Sequence, residues 1–213
     1  MAKLAAPLLS FSAAGQIGNA QVYSKWKGVP YARRYVIPAN PNSSGQQSTR
    51  NTFSWLNSVF KFAGPFLQAP WTAYAKGKPL TDRNALIQSN LPLLRGAANP
   101  DDFVGSPGAN GGIVATSISA ADGGSQVANV TLGVPSVPTD WTITDSIAVL
   151  IPAWTDITTA DGTTYEGHSG DATGSVDVTG VAGNMVVVGW FEMTKPDGTT
   201  AYGPSLGTTL TLA

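Results

Sequence analysis

Met185-Val186-Val187-Val188-Gly189-Trp190-Phe191-Glu192-Met193-Thr194, then Lys195-Pro196-Asp197-Gly198, then Thr199-Thr200-Ala201-Tyr202-Gly203, decides the class of the second half of the chain. A β-branched and aromatic run, a Pro-Asp-Gly turn and a second short run read as two strands joined by a turn. The same punctuation continues outward on both sides. Candidate strands are 113–119, 127–134, 141–154 with an internal break, 174–181, 185–194, 199–203 and 206–212. Asp122-Gly123-Gly124, Asp161-Gly162 and Ala182-Gly183-Asn184 supply the other turn signals. Short strands at this spacing predict an immunoglobulin- or fibronectin-like β-sandwich over residues 113–213, with Trp141, Trp154 and Trp190 as core anchors. The chain has no cysteine, which excludes the antibody-type disulfide, a thiolate nucleophile and cysteine zinc sites.

Upstream, residues 96–112 change character. Arg95-Gly96-Ala97-Ala98-Asn99-Pro100 and Gly105-Ser106-Pro107-Gly108-Ala109-Asn110-Gly111-Gly112 predict a Gly/Pro linker and a domain boundary. Before it, Phe53, Leu56, Phe60 and Ala63 recur at helical spacing, with Trp55, Val59 and Phe62 broadening the face. A helix is expected near 44–63, capped by Asn42 or Ser43 and ended by Gly64-Pro65. A second is expected over 66–76, with Pro70 awkwardly inside, and a third capped by Thr81 with Ala85, Leu86 and Leu91 facing the core. Residues 16–37 read as a β-hairpin turning at Lys27-Gly28. Tyr31, Arg33 and Tyr35 share one face by the two-residue period, Ala32, Arg34 and Val36 the other. Residues 1–14 read as an apolar arm rather than a signal peptide, since the apolar run is short and broken by Pro7. The expected fold class is α+β in two domains: a docking domain over 1–95 and the sandwich over 113–213.

A net charge of −1 hides a polarity along the chain. Residues 1–100 hold eleven of the twelve Lys and Arg and a single acid, Asp82, while residues 101–213 hold Lys195 and twelve acids. Such asymmetry predicts two surfaces with different partners, or copies meeting basic to acidic. No apolar run is long enough to predict a membrane span, and no membrane partner is expected.

No constellation predicts catalysis, and no cofactor is expected. The single histidine, His168, sits beside Ser169 and Asp171, but neighbouring residues on a Gly-rich loop do not align a triad, and no Gly-x-Ser-x-Gly elbow occurs. It reads as an exposed loop histidine. Asp156, Asp161, Asp171 and Asp177 lie in turns whose spacing misses the EF-hand pattern, so no metal site is expected. Glu166 and Glu192, the only glutamates, give no sign of meeting as a glycosidase pair.

The sharpest candidate is a partner-docking surface made by Lys25, Trp26, Lys27, Tyr31, Arg33, Arg34 and Tyr35, with Arg50 on the following helix. Trp, Tyr and Arg are the usual interface anchors. The same residues suit nucleic acid, with phosphates on the cations and bases on the rings. A carbohydrate-binding role for the sandwich, with Trp154, Tyr165 or Tyr202 as stacking platforms, is a further alternative.

Gly15-Gln16-Ile17-Gly18-Asn19, Tyr23-Ser24-Lys25-Trp26-Lys27-Gly28, Tyr31-Ala32-Arg33-Arg34, Asn40-Pro41 and Gln46-x-x-x-Arg50-x-x-Phe53 together resemble an N-terminal module of poorly characterised structural proteins of tailed bacteriophages and prophages. The resemblance covers roughly residues 15–90. It implies a non-enzymatic virion component, assembled in the host cytoplasm, whose partners are capsid or tail subunits and copies of itself. Capsid decoration is the expected role, and a neck, tail or fibre-base adaptor is the alternative. Immunoglobulin-like domains are common appendages of phage capsid and tail proteins, which suits the second half by fold-level analogy.

Overall fold

The computed structural model describes residues 14–27, 29–37, 39–40, 42–95, 100–152 and 163–213. In chain order its elements are β1 (Gly15–Ile17), β2 (Gln21–Trp26), β3 (Val29–Arg34), α1 (Ser44–Phe62), α2 (Pro65–Ala75), α3 (Asp82–Leu94), β4 (Ile118–Asp122), β5 (Val127–Leu132), β6 (Thr142–Pro152), β7 (Tyr165–His168), β8 (Ser175–Thr179), β9 (Gly183–Thr194), β10 (Thr200–Tyr202) and β11 (Leu206–Leu212). The fold is α+β, with three helices and three sheets of antiparallel strands among the described residues. The chain divides into two compact units, residues 1–42 and 43–213.

In the larger unit β9 is the spine. It pairs with β6 on one side and with β10 and β11 on the other, and β6 pairs onward with β7. Met185 through Met193 is apolar nearly without break because both faces of the strand are covered. Val186, Val188 and Trp190 point, with Ile147, Val149 and Ile151 of β6, at the helices, where they meet Leu56, Val59, Leu67, Trp71 and Leu86. Val187 and Met185 point, with Ala148 and Leu150, at the small sheet β4-β5-β8, where they meet Ala128, Val130, Val176 and Val178. The unit is therefore three layers: small sheet, large sheet, helices.

The helices follow their sequence signals with one rotation. On α1 the fully covered residues are Thr52, Trp55, Leu56 and Val59, while Phe53 and Phe62 are exposed. Thr52 tolerates burial because its hydroxyl donates to the Ser48 carbonyl at 2.9 Å. Ser43 stands at the N-cap without a side-chain capping bond. Pro65 opens α2, where the missing N–H costs nothing, and Pro70 sits buried inside it. Thr81 caps α3 by accepting from the Asn84 N–H at 3.3 Å. Ala85 and Leu86 are buried, and Leu91 packs at the margin of the core.

Residues 100–112, expected as a linker, instead form a packed strap; 96–99 lie outside the described residues. Phe103, Ser106 and Ala109 are buried. Trp71 donates its indole N–H to the Gly105 carbonyl at 2.7 Å. The buried Asn90 side chain accepts from Val104 N–H at 2.7 Å and donates back to its carbonyl at 3.1 Å. Ser106 donates to the Gly203 carbonyl at 2.6 Å, and Gly105 N–H donates to Ser205 Oγ at 3.0 Å. Gly105 is glycine because an added Cβ would lie 2.9 Å from Val188 Cγ2 and 3.0 Å from Trp190 Cζ3. The helices of 44–94 thus share one core with the strands, and the division anticipated at 96–112 falls instead between Asn42 and Ser43.

Two further corrections concern strands. The strand expected at 113–119 begins at Ile118, and β7 was not anticipated. The expected anchor Trp190 is fully buried, Trp141 is half-buried beneath Lys195, whose Nζ lies 4.9 Å from its ring centroid, and Trp154 lies outside the described residues.

Candidate docking surface

The smaller unit is a three-stranded antiparallel meander, β1-β2-β3. A turn at Gly18 to Ala20 joins β1 to β2, with Gly18 at φ +52° and Gln16 donating its side-chain amide to Asn19 Oδ1 at 3.2 Å. β2 and β3 pair from Gln21/Arg34 as far as Trp26/Val29. Lys27 takes the left-handed conformation there at φ +46°, a task the sequence suggested for Gly28, which lies outside the described residues.

Register sorts the candidate residues onto two faces. Trp26/Val29, Ser24/Tyr31 and Val22/Arg33 are cross-strand pairs on one face; Lys25/Pro30, Tyr23/Ala32 and Gln21/Arg34 lie on the other. Trp26, Tyr31 and Arg33 are thereby brought together, and Tyr35 continues their alternation past the strand end. Lys25 and Arg34 are directed to the opposite face. Lys27 sits in the turn, its Nζ 5.9 Å from the Trp26 ring centroid. Arg50 belongs to α1, in the other unit. The face bearing Tyr23 is the covered one, since Tyr23 is buried. The opposite face is open at its tip, where Trp26 is 69% exposed and Val29 41%, while Val22, Ser24 and Tyr31 on it are half-buried. Ile17, Val36 and Ile37 are also exposed.

Backbone phase adds a constraint. Tyr35 N–H donates to the Ala20 carbonyl at 2.9 Å, so the inward-bonding residues of β3 are those paired two and four along, Arg33 and Tyr31. Pro30 therefore faces the free edge, where it has no N–H to offer another strand. Electrostatics are one-sided as well. Residues 1–42 contain five Lys and Arg and no acid, whereas residues 43–213 contain seven and thirteen acids, a net of −6.

The larger unit carries a polar row at one end of its helix-covered sheet face. Tyr202, Glu192 and Asp145 are successive register partners across β10, β9 and β6. Asp145 Oδ2 lies 3.1 Å from His168 Nδ1, and Asp145 Oδ1 accepts from Gly170 N–H at 2.8 Å. His168, expected on a loop, ends β7 and is half exposed, its ring 4.5 Å from that of Phe66. Burial, and then the Asp145 charge, push the Glu192 carboxyl above its ordinary value. Burial, then Glu192, push the Tyr202 phenol up. Glu166, on β7, caps α2 by accepting from Leu67 N–H at 2.8 Å and Phe66 N–H at 3.1 Å. Burial outweighs those two bonds and raises its carboxyl as well. Glu166 and Glu192 thus have separate duties on different strands. Ser169 and Asp171 bond to each other within their own turn, so His168 has Asp145 rather than either of them as its partner. Among the described residues no group of three or more His, Asp or Glu is placed to hold a metal ion, and no helix is long and apolar enough to cross a membrane. Asp156 and Asp161 lie outside the described residues.

A groove of about 810 Å³ runs along α2 against the start of β10. Ala69, Thr72 and Ala73 of α2 line it, together with Lys76, Asp82 and Tyr202. Tyr165, the other tyrosine considered for stacking, packs instead beside the core between the two sheets.

No family model matches this chain, and no curated protein is similar to it. The register that separates Trp26 from Lys25 was readable from alternation; the groove was not, because β10 is distant in sequence from α2 and α3.

Proposed function

We propose that this chain is a non-enzymatic structural protein of a bacteriophage virion, a capsid decoration or accessory protein. It docks through the meander of residues 15–37 and presents an immunoglobulin-like sandwich with its helical cover. The observation that carries this reading is the exposure of Trp26, Val29 and Arg33, beside a half-buried Tyr31 on the same face, on a unit with five cations and no acid. Large exposed apolar side chains ringed by cations are costly to leave in water and are the usual anchors of a protein interface. Cations steer the approach, and Trp26 and Tyr31 supply the contact. The resemblance of residues 15–90 supplies the virion context.

The test adds the purified chain to particles lacking it and counts bound copies. The Arg33→Glu/Arg34→Glu variant is expected to bind at a small fraction of wild-type occupancy. Unchanged occupancy overturns the reading. Retention of the wild type on DNA with a steep salt dependence, in place of binding to particles, transfers the surface to nucleic acid.

A further inference from the structure

We infer that Asn110 is a deamidation site that the fold holds closed, and that opens when the turn of residues 108–112 lifts from β10. The inference stands apart from the docking reading. Asn110-Gly111 is the one Asn-Gly pair in the chain, and both residues are exposed. Glycine places no side chain over its own nitrogen, so an Asn-Gly pair is the arrangement most open to ring closure. In that reaction the Gly111 nitrogen attacks Asn110 Cγ, and a C–N bond forms. The Cγ–Nδ2 bond breaks, and Nδ2 leaves as ammonia with the proton from the Gly111 nitrogen. Water then opens the cyclic imide at either carbonyl, leaving aspartate or isoaspartate at position 110.

The fold opposes the first step in two ways. Asn110 sits at φ +56° and ψ +25°, a left-handed conformation that asparagine tolerates. At that ψ the Gly111 nitrogen lies across the Cα–C bond from Cβ, whereas ring closure needs both on the same side. The bond must turn by well over a right angle. The leaving amide is also held, since Nδ2 donates to the Thr200 carbonyl at 2.7 Å. Gly112 N–H closes the turn by donating to the Ala109 carbonyl at 3.2 Å. Ala109 is buried, and Gly112 lies so close to β10 that an added Cβ would fall on the Tyr202 carbonyl. Rotation at Asn110 therefore needs the turn to leave β10. The product then keeps it from reseating. A carboxylate has no hydrogen to give the Thr200 carbonyl, and isoaspartate lengthens the backbone where Gly112 has no room. The device runs one way, and each opening that ends in reaction loosens this end of the strap.

The test incubates the full chain, folded and in urea, at one pH and temperature. Peptide mapping by mass spectrometry reads the acid formed at position 110. The unfolded chain is expected to react, and the folded chain at least about tenfold more slowly, because it must open locally first. Gly112→Ala crowds the Tyr202 carbonyl and is expected to bring the folded rate toward the unfolded one. Gly108→Ala, whose Cβ would lie 2.7 Å from Pro204 Cγ, serves as a second variant, and melting curves show whether each is folded. Asn110→Asp supplies one product directly and is expected to lose hydrogen-exchange protection at Gly112. Equal rates in the folded and unfolded wild type overturn the inference, as does an unfolded chain that stays unreacted at position 110. Folded Gly112→Ala and Gly108→Ala variants that react no faster than wild type overturn the role of β10. Unchanged protection at Gly112 in Asn110→Asp overturns the one-way step.

Discussion

The two units handle their apolar residues in opposite ways. In residues 43–213 the large aromatics and branched aliphatics sit between three layers: Trp71, Trp190, Phe103 and Phe191 are all fully covered. In the meander the described strands cover one large side chain, Tyr23, and leave Ile17, Trp26, Val29, Val36 and Ile37 in water. A small sheet has too little interior to be stabilised by burial alone. Its side chains are therefore free to serve a partner, while those of the larger unit are committed to the fold. Stability and binding should be separable by mutation.

The largest expected effect is on the side of stability. Trp190→Ala empties the centre of the helix-facing core and should cost about 3–5 kcal/mol in denaturant unfolding of the larger unit. Trp26→Ala, the same substitution on the meander, should change stability by no more than about 0.5 kcal/mol. Equal losses at the two tryptophans would break the comparison. Asn90→Leu comes next. It leaves Val104 N–H and C=O buried without their partner and should cost about 1–3 kcal/mol. Loss of protection at Val104 and Gly105 in hydrogen exchange should accompany it. Glu166→Ala removes the acceptor for two N–H groups of α2 and should cost about 1 kcal/mol, seen as fraying of that helix's first turn.

The smallest effect is one of pH. The Glu192 carboxyl is raised in the folded state, so the fold binds its proton more tightly than the unfolded chain does. Its contribution is present below the ordinary glutamate value and is lost as pH rises through the raised value. Glu192→Gln should therefore flatten the pH dependence of melting across that window and stabilise slightly at pH 7. Since Glu192 is only half-buried, solvent screening holds the gain below about 1 kcal/mol. A steeper profile in the variant would contradict this assignment.

Much of this architecture was legible in the sequence, and what was missed has physical causes. α1 and the β9–β10 hairpin were visible because each element carries its own periodicity and its own stop signal. The face of α1 was read one step off because Phe53 and Phe62 outweigh Thr52 in apolarity, while a threonine bonded to its own helix is the residue buried. Residues 100–112 looked flexible because Gly and Pro mark both loops and close approaches, and Gly105 is the second kind. β7 escaped because it is an edge strand of four residues containing Gly167, where an added Cβ would lie 2.7 Å from Val178 Cγ2. With it went the pairing of His168 with Asp145 and the cap that Glu166 gives α2. Those contacts join residues far apart in the chain, which no local pattern reports. Of the docking surface, the split of Arg33 from Arg34 was legible from alternation. That Arg50 falls in the other compact unit was not, since it depends on where the chain divides into units.

The most direct test of the claim that binding and stability are housed apart is a paired one on the Trp26→Ala/Arg33→Glu variant. Occupancy on particles and the melting temperature are measured on the same preparation. The account predicts that occupancy falls to background while melting shifts by no more than about 2 °C. Full occupancy, or loss of occupancy only together with loss of the fold, would contradict it.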